Sequence, residues 1–250
     1  MKMKKKFYVI GHRGACAYAP ENTVPSFDKA LDLGVDGLET DIRRTRDGVL
    51  VLFHDNILDN KSDLTGRVQD YSYAELKKAD FGGWFSKEYK GAGILRLDEF
   101  LCRYGGRVHL SLEIKDVNIE QQLLDEIKAA NLETEDFMIT SFNLNSLKQI
   151  KKMDQAIPTG YLAADCKKET VHICLENKME AICPRAAALN AEDVEYAHEK
   201  GLFVRAWGVA DEDLMKKAYD AGADGMTIDF PDKLIEYIKR QKILKKEGMA

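Results

Sequence analysis

Short apolar runs of strand character recur along the whole chain, separated by segments whose apolar residues repeat at helical spacing. The runs are FYVIG, GLETDI, VLVLF, VHLSLEI, DFMITSF, TGYLA, AICP, LFVRAWGV and GMTID. Helical periodicity is clearest over residues 24–33, 119–130, 145–153, 191–200 and 211–221, with cap-competent or acidic side chains before the last two and Gly201 and Gly222 behind them as stops. Parallel neighbours in a sheet require a long crossover, usually a helix, so this rhythm demands a parallel sheet covered by helices.

An open doubly wound sheet and a closed barrel both satisfy that demand, and the number of runs favours the barrel. In DIRRTRDGVLVLFHD the pair Asp47-Gly48 stands between two apolar runs and predicts a type I′ hairpin. The hairpin makes GLETDI and VLVLF one unit and leaves eight runs, enough for a (β/α)8 TIM barrel spanning residues 1–250 as a single domain. Residues 56–106 break the rhythm, being rich in glycine and aromatics with only short helical pieces. They are expected to form an insertion packed over one mouth of the barrel.

Composition excludes several classes of function. The chain has 250 residues, 45% apolar and 32% charged, which suits a water-soluble globular fold. A net charge of −5 offers no footprint for nucleic acid. The basic tail KRQKILKKEG reads as a solvated helix end. The apolar run in MKMKKKFYVIGHRGACAYA is short and interrupted by His12 and Arg13, a poor signal peptide, and no window reaches membrane-spanning length; a cytoplasmic protein without stable membrane insertion is expected. Five cysteines without CxxC spacing read as small buried hydrophobes. Only His172, Cys174 and Cys183 hint at a thiolate metal site, and a fourth ligand is not evident. The mixed surface carries no signal of oligomeric state.

Polar residues at the ends of the runs carry the chemistry. Glu39 and Asp41 are two apart on a strand and emerge on one face, and Glu113 and Lys115 repeat the pattern. Charged side chains at the C-terminal ends of barrel strands belong to the active mouth. Several buried carboxylates need compensating positive charge, which Arg13 and Lys115 supply in part. A divalent cation on Glu39, Asp41 and Glu113 would supply more, and an all-oxygen donor set suits one Mg²⁺, Mn²⁺ or Ca²⁺ ion; the competing reading is a metal-free salt-bridge network. His12 and His54 each close an apolar run. Either alone reads as a structural histidine, but together they provide the two halves of acid–base catalysis near neutral pH. The residues themselves lead to a metal-dependent acid–base hydrolase favouring an anionic substrate.

The motifs go further. HRG, PENT, E-x-D, DG…HD and LEIK stand in this order within GHRGACAYAPENTVPSFDKALDLGVDGLETDIRRTRDGVLVLFHD and SLEIK, and VRAWGVADEDLMKKAYDAGADGMTIDFP follows near the end. The sequence resembles the glycerophosphodiester phosphodiesterase family over nearly its whole length. The resemblance implies a TIM barrel with an insertion after the HD motif, and hydrolysis of small-molecule glycerophosphodiesters to sn-glycerol 3-phosphate and an alcohol. It implies His12 and His54 as the acid–base pair, Glu39, Asp41 and Glu113 as metal ligands, Arg13 and Lys115 on the phosphate, and Phe142 and Trp207 lining the substrate pocket. Pro20 and Asn22 are expected to shape the first loop, with Glu21 on the rim. His12 is preferred as base and His54 as acid. Lysophospholipid-like diesters are the alternative substrates, and a non-catalytic phosphodiester-binding barrel is the alternative function. The segments NILDNKSDLTGRV, ILRL and TIDFP depart from the family pattern, and all three are expected to lie clear of the reacting groups.

Overall fold

The computed structural model describes residues 6–246. Residues 1–5, which hold most of the basic N-terminal stretch, and 247–250, the end of the basic tail, fall outside it. Strand β1 (Tyr8–Gly11) leads through a loop to helix α1 (Val24–Leu33), and β2 (Gly37–Arg44) turns back into the short β3 (Leu50–Leu52). A long excursion carrying α2 (Tyr73–Leu76) then reaches α3 (Leu97–Tyr104) and β4 (His109–Ile114). Strand and helix then alternate regularly: α4 (Glu120–Ala129), β5 (Phe137–Ser141), α5 (Leu144–Met153), β6 (Thr159–Ala163), α6 (Lys168–Glu176), β7 (Ala181–Pro184), α7 (Ala191–Glu199), β8 (Phe203–Val209), α8 (Glu212–Asp220), β9 (Gly225–Ile228) and α9 (Pro231–Lys246).

The sheet order is β1-β9-β8-β7-β6-β5-β4-β2-β3, and β1 also pairs with β2, so eight parallel strands close into a barrel with β3 hanging antiparallel on β2. This is the (β/α)8 barrel that the repeat count predicts. Outward residues such as Leu38, Ile42, Leu110, Leu112 and Ile139 are buried under the helices. The intervening residues point into the barrel, as period-two alternation requires. Asn190 and Asp211 cap α7 and α8 by accepting from the backbone N–H of Asp193 at 2.9 Å and Leu214 at 2.8 Å. No helix among the described residues is long and apolar enough to cross a membrane.

The β2–β3 hairpin forms, but its turn is not type I′. Gly48 alone takes a left-handed conformation, with φ +87°. Its N–H donates to the Thr45 carbonyl at 3.1 Å, and the Thr45 N–H donates to the Val49 carbonyl at 2.9 Å. The loop is therefore three residues long, a type I turn closed by a left-handed glycine. The Thr45 hydroxyl donates to the Asp47 carboxylate at 2.6 Å and accepts from the Val49 N–H at 2.9 Å, which favours this longer turn.

The segment after β3 divides in two. Val51, Phe53, Leu58, Val68, Leu76, Phe81 and Ile94 form a small core of their own. Leu97, Phe100, Leu101 and Tyr104 of α3 join the main core, with the Phe100 ring 4.7 Å from that of Phe27. The excursion sits on the β1–α1 loop, where Lys61 pairs with Glu21 and the Tyr89 hydroxyl donates to the Tyr18 carbonyl at 3.1 Å.

Candidate active site

The barrel's C-terminal mouth holds a cavity of about 430 Å³ lined by His12, Arg13, Glu39, His54, Glu113 and Lys115 on one side and Phe142, Trp207, Arg185 and Arg205 on the other. Register builds its acidic side. Asp41 lies opposite Glu113 and Glu39 opposite Ser111 across the β2–β4 ladder. One carboxylate oxygen from each of Glu39, Asp41 and Glu113 falls within 4.8 Å of the others. The three are nearly inaccessible, at 3%, 0% and 7% exposure respectively.

Two cations share these carboxylates. Arg13 Nε lies 3.2 Å from Asp41 Oδ2, and its Nη1 donates to Glu21 Oε1 at 2.9 Å. Lys115 Nζ lies 3.1 Å from Asp41 Oδ1 and 2.5 Å from Glu113 Oε1. Burial favours the neutral form of Asp41, but Lys115 and Arg13 outweigh it and hold the carboxyl well below the usual range. Burial and the charge of Asp41 push Glu39 and Glu113 the other way. Asp41 Oδ1 and Glu113 Oε1 are buried without a hydrogen bond of good geometry, for the lysine contacts satisfy charge but not direction. Surplus negative charge and unsatisfied buried oxygens fit a hard divalent cation.

Each histidine is gripped through Nδ1 by an aspartate. His12 Nδ1 is 2.5 Å from Asp229 Oδ1, which leaves Nε2 in the cavity 3.9 Å from Glu39 Oε2. Burial pulls His12 down, but Asp229 and Glu39 outweigh it and the net shift is upward. His54 Nδ1 is 2.7 Å from Asp55 Oδ1. There burial dominates, the attraction of Asp41 opposes it, Arg13 and Lys115 repel further charge, and the net shift is downward.

The β1–α1 loop is locked by conformations that its residues dictate. Arg13 sits at φ +51°, aiming its N–H at Glu39 Oε2 at 3.0 Å. Gly14, at φ +91°, passes so close to α1 that a Cβ would stand 2.4 Å from Ser26. The neighbour of Gly11 is likewise protein, since a Cβ there would meet the Gly14 carbonyl oxygen at 2.6 Å. Asn22 does more than shape the loop: it donates to Asp41 Oδ2 at 2.9 Å and accepts from Thr40 Oγ1 at 2.8 Å.

Phe142 and Trp207 meet edge to face, ring centroids 4.9 Å apart, and Phe142 remains 47% exposed at the mouth. All nine residues predicted for the site thus touch or adjoin one cavity, Asp41 from beneath. The TIDFP segment does not stand clear as expected, because its Asp229 holds His12. Nor does a thiolate site form: Cys174 and Cys183 are buried in the cores, and His172 Nε2 bonds the Tyr196 hydroxyl at 2.8 Å. Among the described residues a second ligand-capable cluster joins His12, Cys16 and Asp229. Burial and Asp229 push the Cys16 thiol up, which keeps it protonated and a weak ligand. Asp229, Asp55, Arg43, Arg185 and Arg205 are not predicted as site residues from the sequence; local signals exist only for Asp55, in the HD pair, and Asp229, in TIDFP.

A closed (β/α)8 barrel with two histidines over a carboxylate nest at its C-terminal mouth has the make-up of one class: a barrel hydrolase working by acid–base chemistry on an anionic substrate. The glycerophosphoryl diester phosphodiesterase family model matches residues 12–233. A glycerophosphodiester phosphodiesterase of Caldanaerobacter subterraneus subsp. tengcongensis is 34% identical over 241 residues, covering 94% of this chain and 99% of the relative. The structure of an Oleispira antarctica phosphodiesterase in complex with the product sn-glycerol-3-phosphate superposes with TM-score 0.84 and 28% identity, covering 93% of this chain and 96% of the other. A glycerophosphodiester phosphodiesterase from Agrobacterium tumefaciens gives TM-score 0.80 at 25% identity, covering 92% of this chain and 98% of the other. The chain belongs to the glycerophosphodiester phosphodiesterase family and is an enzyme of that kind, acting on glycerophosphodiester-like substrates.

Proposed function

We propose that the enzyme hydrolyses glycerophosphodiesters to sn-glycerol 3-phosphate and the free alcohol, with His54 as general base and His12 as general acid. The observation that carries this reading is the unequal setting of two imidazoles at one cavity. His12 has carboxylates at both ring nitrogens, Asp229 at 2.5 Å and Glu39 at 3.9 Å, which favour its proton. His54 has Asp55 at Nδ1 and is repelled by Arg13 and Lys115, which favours a neutral ring with a free nitrogen. This reverses the assignment preferred from sequence. The product complex of the Oleispira relative supports the choice of product.

Arg13 and Lys115 hold the phosphoryl oxygens and offset the charge that grows on them. His54 takes the proton of the attacking hydroxyl as its oxygen bonds phosphorus: water gives glycerol 3-phosphate in one step, whereas the substrate's own 2-hydroxyl gives a cyclic phosphate that a water must then open. The bond from phosphorus to the leaving oxygen breaks, and His12 gives that oxygen its proton. Glu39, Asp41 and Glu113 would hold a Mg²⁺, Mn²⁺ or Ca²⁺ ion, which when bound supplies further positive charge against the phosphate.

A matrix of glycerophosphodiesters against Mg²⁺, Mn²⁺ and Ca²⁺ tests the proposal. Glycerol 3-phosphate should appear, and a chelator should reduce the rate by about 100-fold or more until a divalent ion is restored. Failure to release it from any diester with any of the three ions would sink the reading.

A further inference from the structure

The cations of the cavity fall into two sets. Arg13 and Lys115 are committed, each lying within 3.2 Å of carboxylates of this chain. Arg185 and Arg205 line the same cavity, yet neither has a carboxylate within 4.0 Å among the described residues. Arg205 is only 2% exposed. Its Nη1 donates to the neutral Thr227 hydroxyl at 2.7 Å, and its Nε is buried with no partner. Burying a guanidinium with neither counterion nor full hydrogen bonding is costly, so such a group calls for an anion from outside.

Topology places this surplus away from the site already described. Around the closed ring of strands, β7 and β8 stand across from β2 and β4, which carry the carboxylates. Arg205 lies two residues before Trp207 on β8 and shares its inward face. Arg185 follows β7 and is bridged to Trp207. Its chain runs over Gly208, where a Cβ would stand 3.5 Å from Arg185 Cγ. The far wall is therefore two guanidiniums flanking the Trp207–Phe142 pair.

A diester phosphate carries one negative charge, and Arg13 and Lys115 already attend the side where the histidines lie. Resting on the hydrolase reading above, we propose that Arg185 and Arg205 form a second anion subsite. It takes an acidic group on the alcohol portion, a carboxylate or a phosphate monoester, and thereby selects diesters with acidic headgroups over cationic ones. Planar guanidinium forks suit both groups, while a quaternary or primary ammonium meets repulsion there.

Two matched pairs of substrates isolate the effect and its source. Glycerophosphoserine differs from glycerophosphoethanolamine by one carboxylate, and glycerophosphoinositol 4-phosphate differs from glycerophosphoinositol by one phosphate. The acidic member of at least one pair should have a kcat/KM about 10-fold higher, a charge-assisted hydrogen bond's worth. The pair that responds identifies carboxylate, phosphate or both as the ligand. R185Q, at an exposed position that does not threaten the fold, should abolish the preference by slowing the acidic substrates and not glycerophosphoethanolamine, whose ammonium loses a repulsion with the guanidinium; R205K should retain part of it. Equal rates within both pairs overturn the subsite while sparing the hydrolase. So does a loss in R185Q and R205K that is uniform across headgroups, because the arginines would then serve the scissile phosphate. A calorimetric arm needs no turnover: O-phosphoserine should bind about 10-fold tighter than O-phosphoethanolamine to the wild type but not to R185Q. Equal binding there, together with equal binding of inositol 1,4-bisphosphate and inositol 1-phosphate, overturns the subsite even if every diester proves inert.

Discussion

The two histidines look alike in sequence, each ending an apolar run, but the molecule holds them by different means. His12 is held by its ring. Its partner Asp229 follows β9, 217 residues away, and reaches it only because β9 pairs with β1 in the closed barrel. His54 is held mostly by its backbone. Its ring partner is the adjacent Asp55, while its carbonyl oxygen accepts from Arg43 Nε at 3.1 Å and Nη2 at 2.7 Å. Arg43 in turn donates to Asp116 at 2.7 Å, beyond the end of β4. One half of the site is therefore tuned through charge and the other positioned through main chain. Their pKa shifts run in opposite directions because Asp229 and Glu39 outweigh burial at His12, whereas burial, aided by Arg13 and Lys115, prevails at His54.

Removing the rings is the largest way to break the comparison. H12A and H54A should each lower kcat by about 1,000-fold, and the double variant should lose no more than about 10-fold beyond either, since both act in one step. Fully multiplicative losses in steady-state assays would show that the rings act separately.

Charge substitutions sharpen the contrast. D229N should lower kcat by about 100-fold, and D55N by less than about 10-fold, because only Asp229 sets its ring's proton against strong burial. The pH profiles carry the sign. The acid must be protonated, so activity falls as pH rises through the raised pKa of His12; removing Asp229 lowers that pKa and moves the basic limb to lower pH. The base must be neutral, so activity falls as pH drops through the lowered pKa of His54. Asp55 raises that pKa in part, and D55N should move the acid limb lower still. An unmoved basic limb in D229N would reassign the acid.

The smallest effect is expected at Arg43. R43M leaves both rings and their aspartates in place but frees the His54 carbonyl and a buried Asp116 oxygen. Urea denaturation should show a loss of about 1–3 kcal/mol. Activity should fall by less than 10-fold, with both pH limbs unmoved. A displaced acid limb would mean that Arg43 acts on His54 through charge.

The same division explains what could be read in advance. Strand and helix periodicity act locally, so the eightfold rhythm and the shared face of Glu39 and Asp41 stand plainly in the sequence. Asp47-Gly48 announces a hairpin, but Thr45 decides its turn through side-chain bonds that a dipeptide signal does not contain. The family pattern brings distant motifs together as residues without giving their contacts. Asp229 was visible in TIDFP, yet its place against His12 depends on closure of the ring. Arg205 lies between the valine and alanine of an apolar run, and nothing short of the barrel's interior shows that no carboxylate among the described residues faces it.

Closure also fixes when during synthesis the site comes into being. β1 leaves the ribosome first and β9 is the last strand to follow, yet the two must pair before Asp229 can meet His12. A nascent chain that has assembled every other strand still has an open seam between β1 and β8, with neither Thr227 beneath Arg205 nor Asp229 behind His12. Its His12 ring then has no aspartate to fix its proton. The last strand to arrive is in this sense also the last catalytic part to arrive.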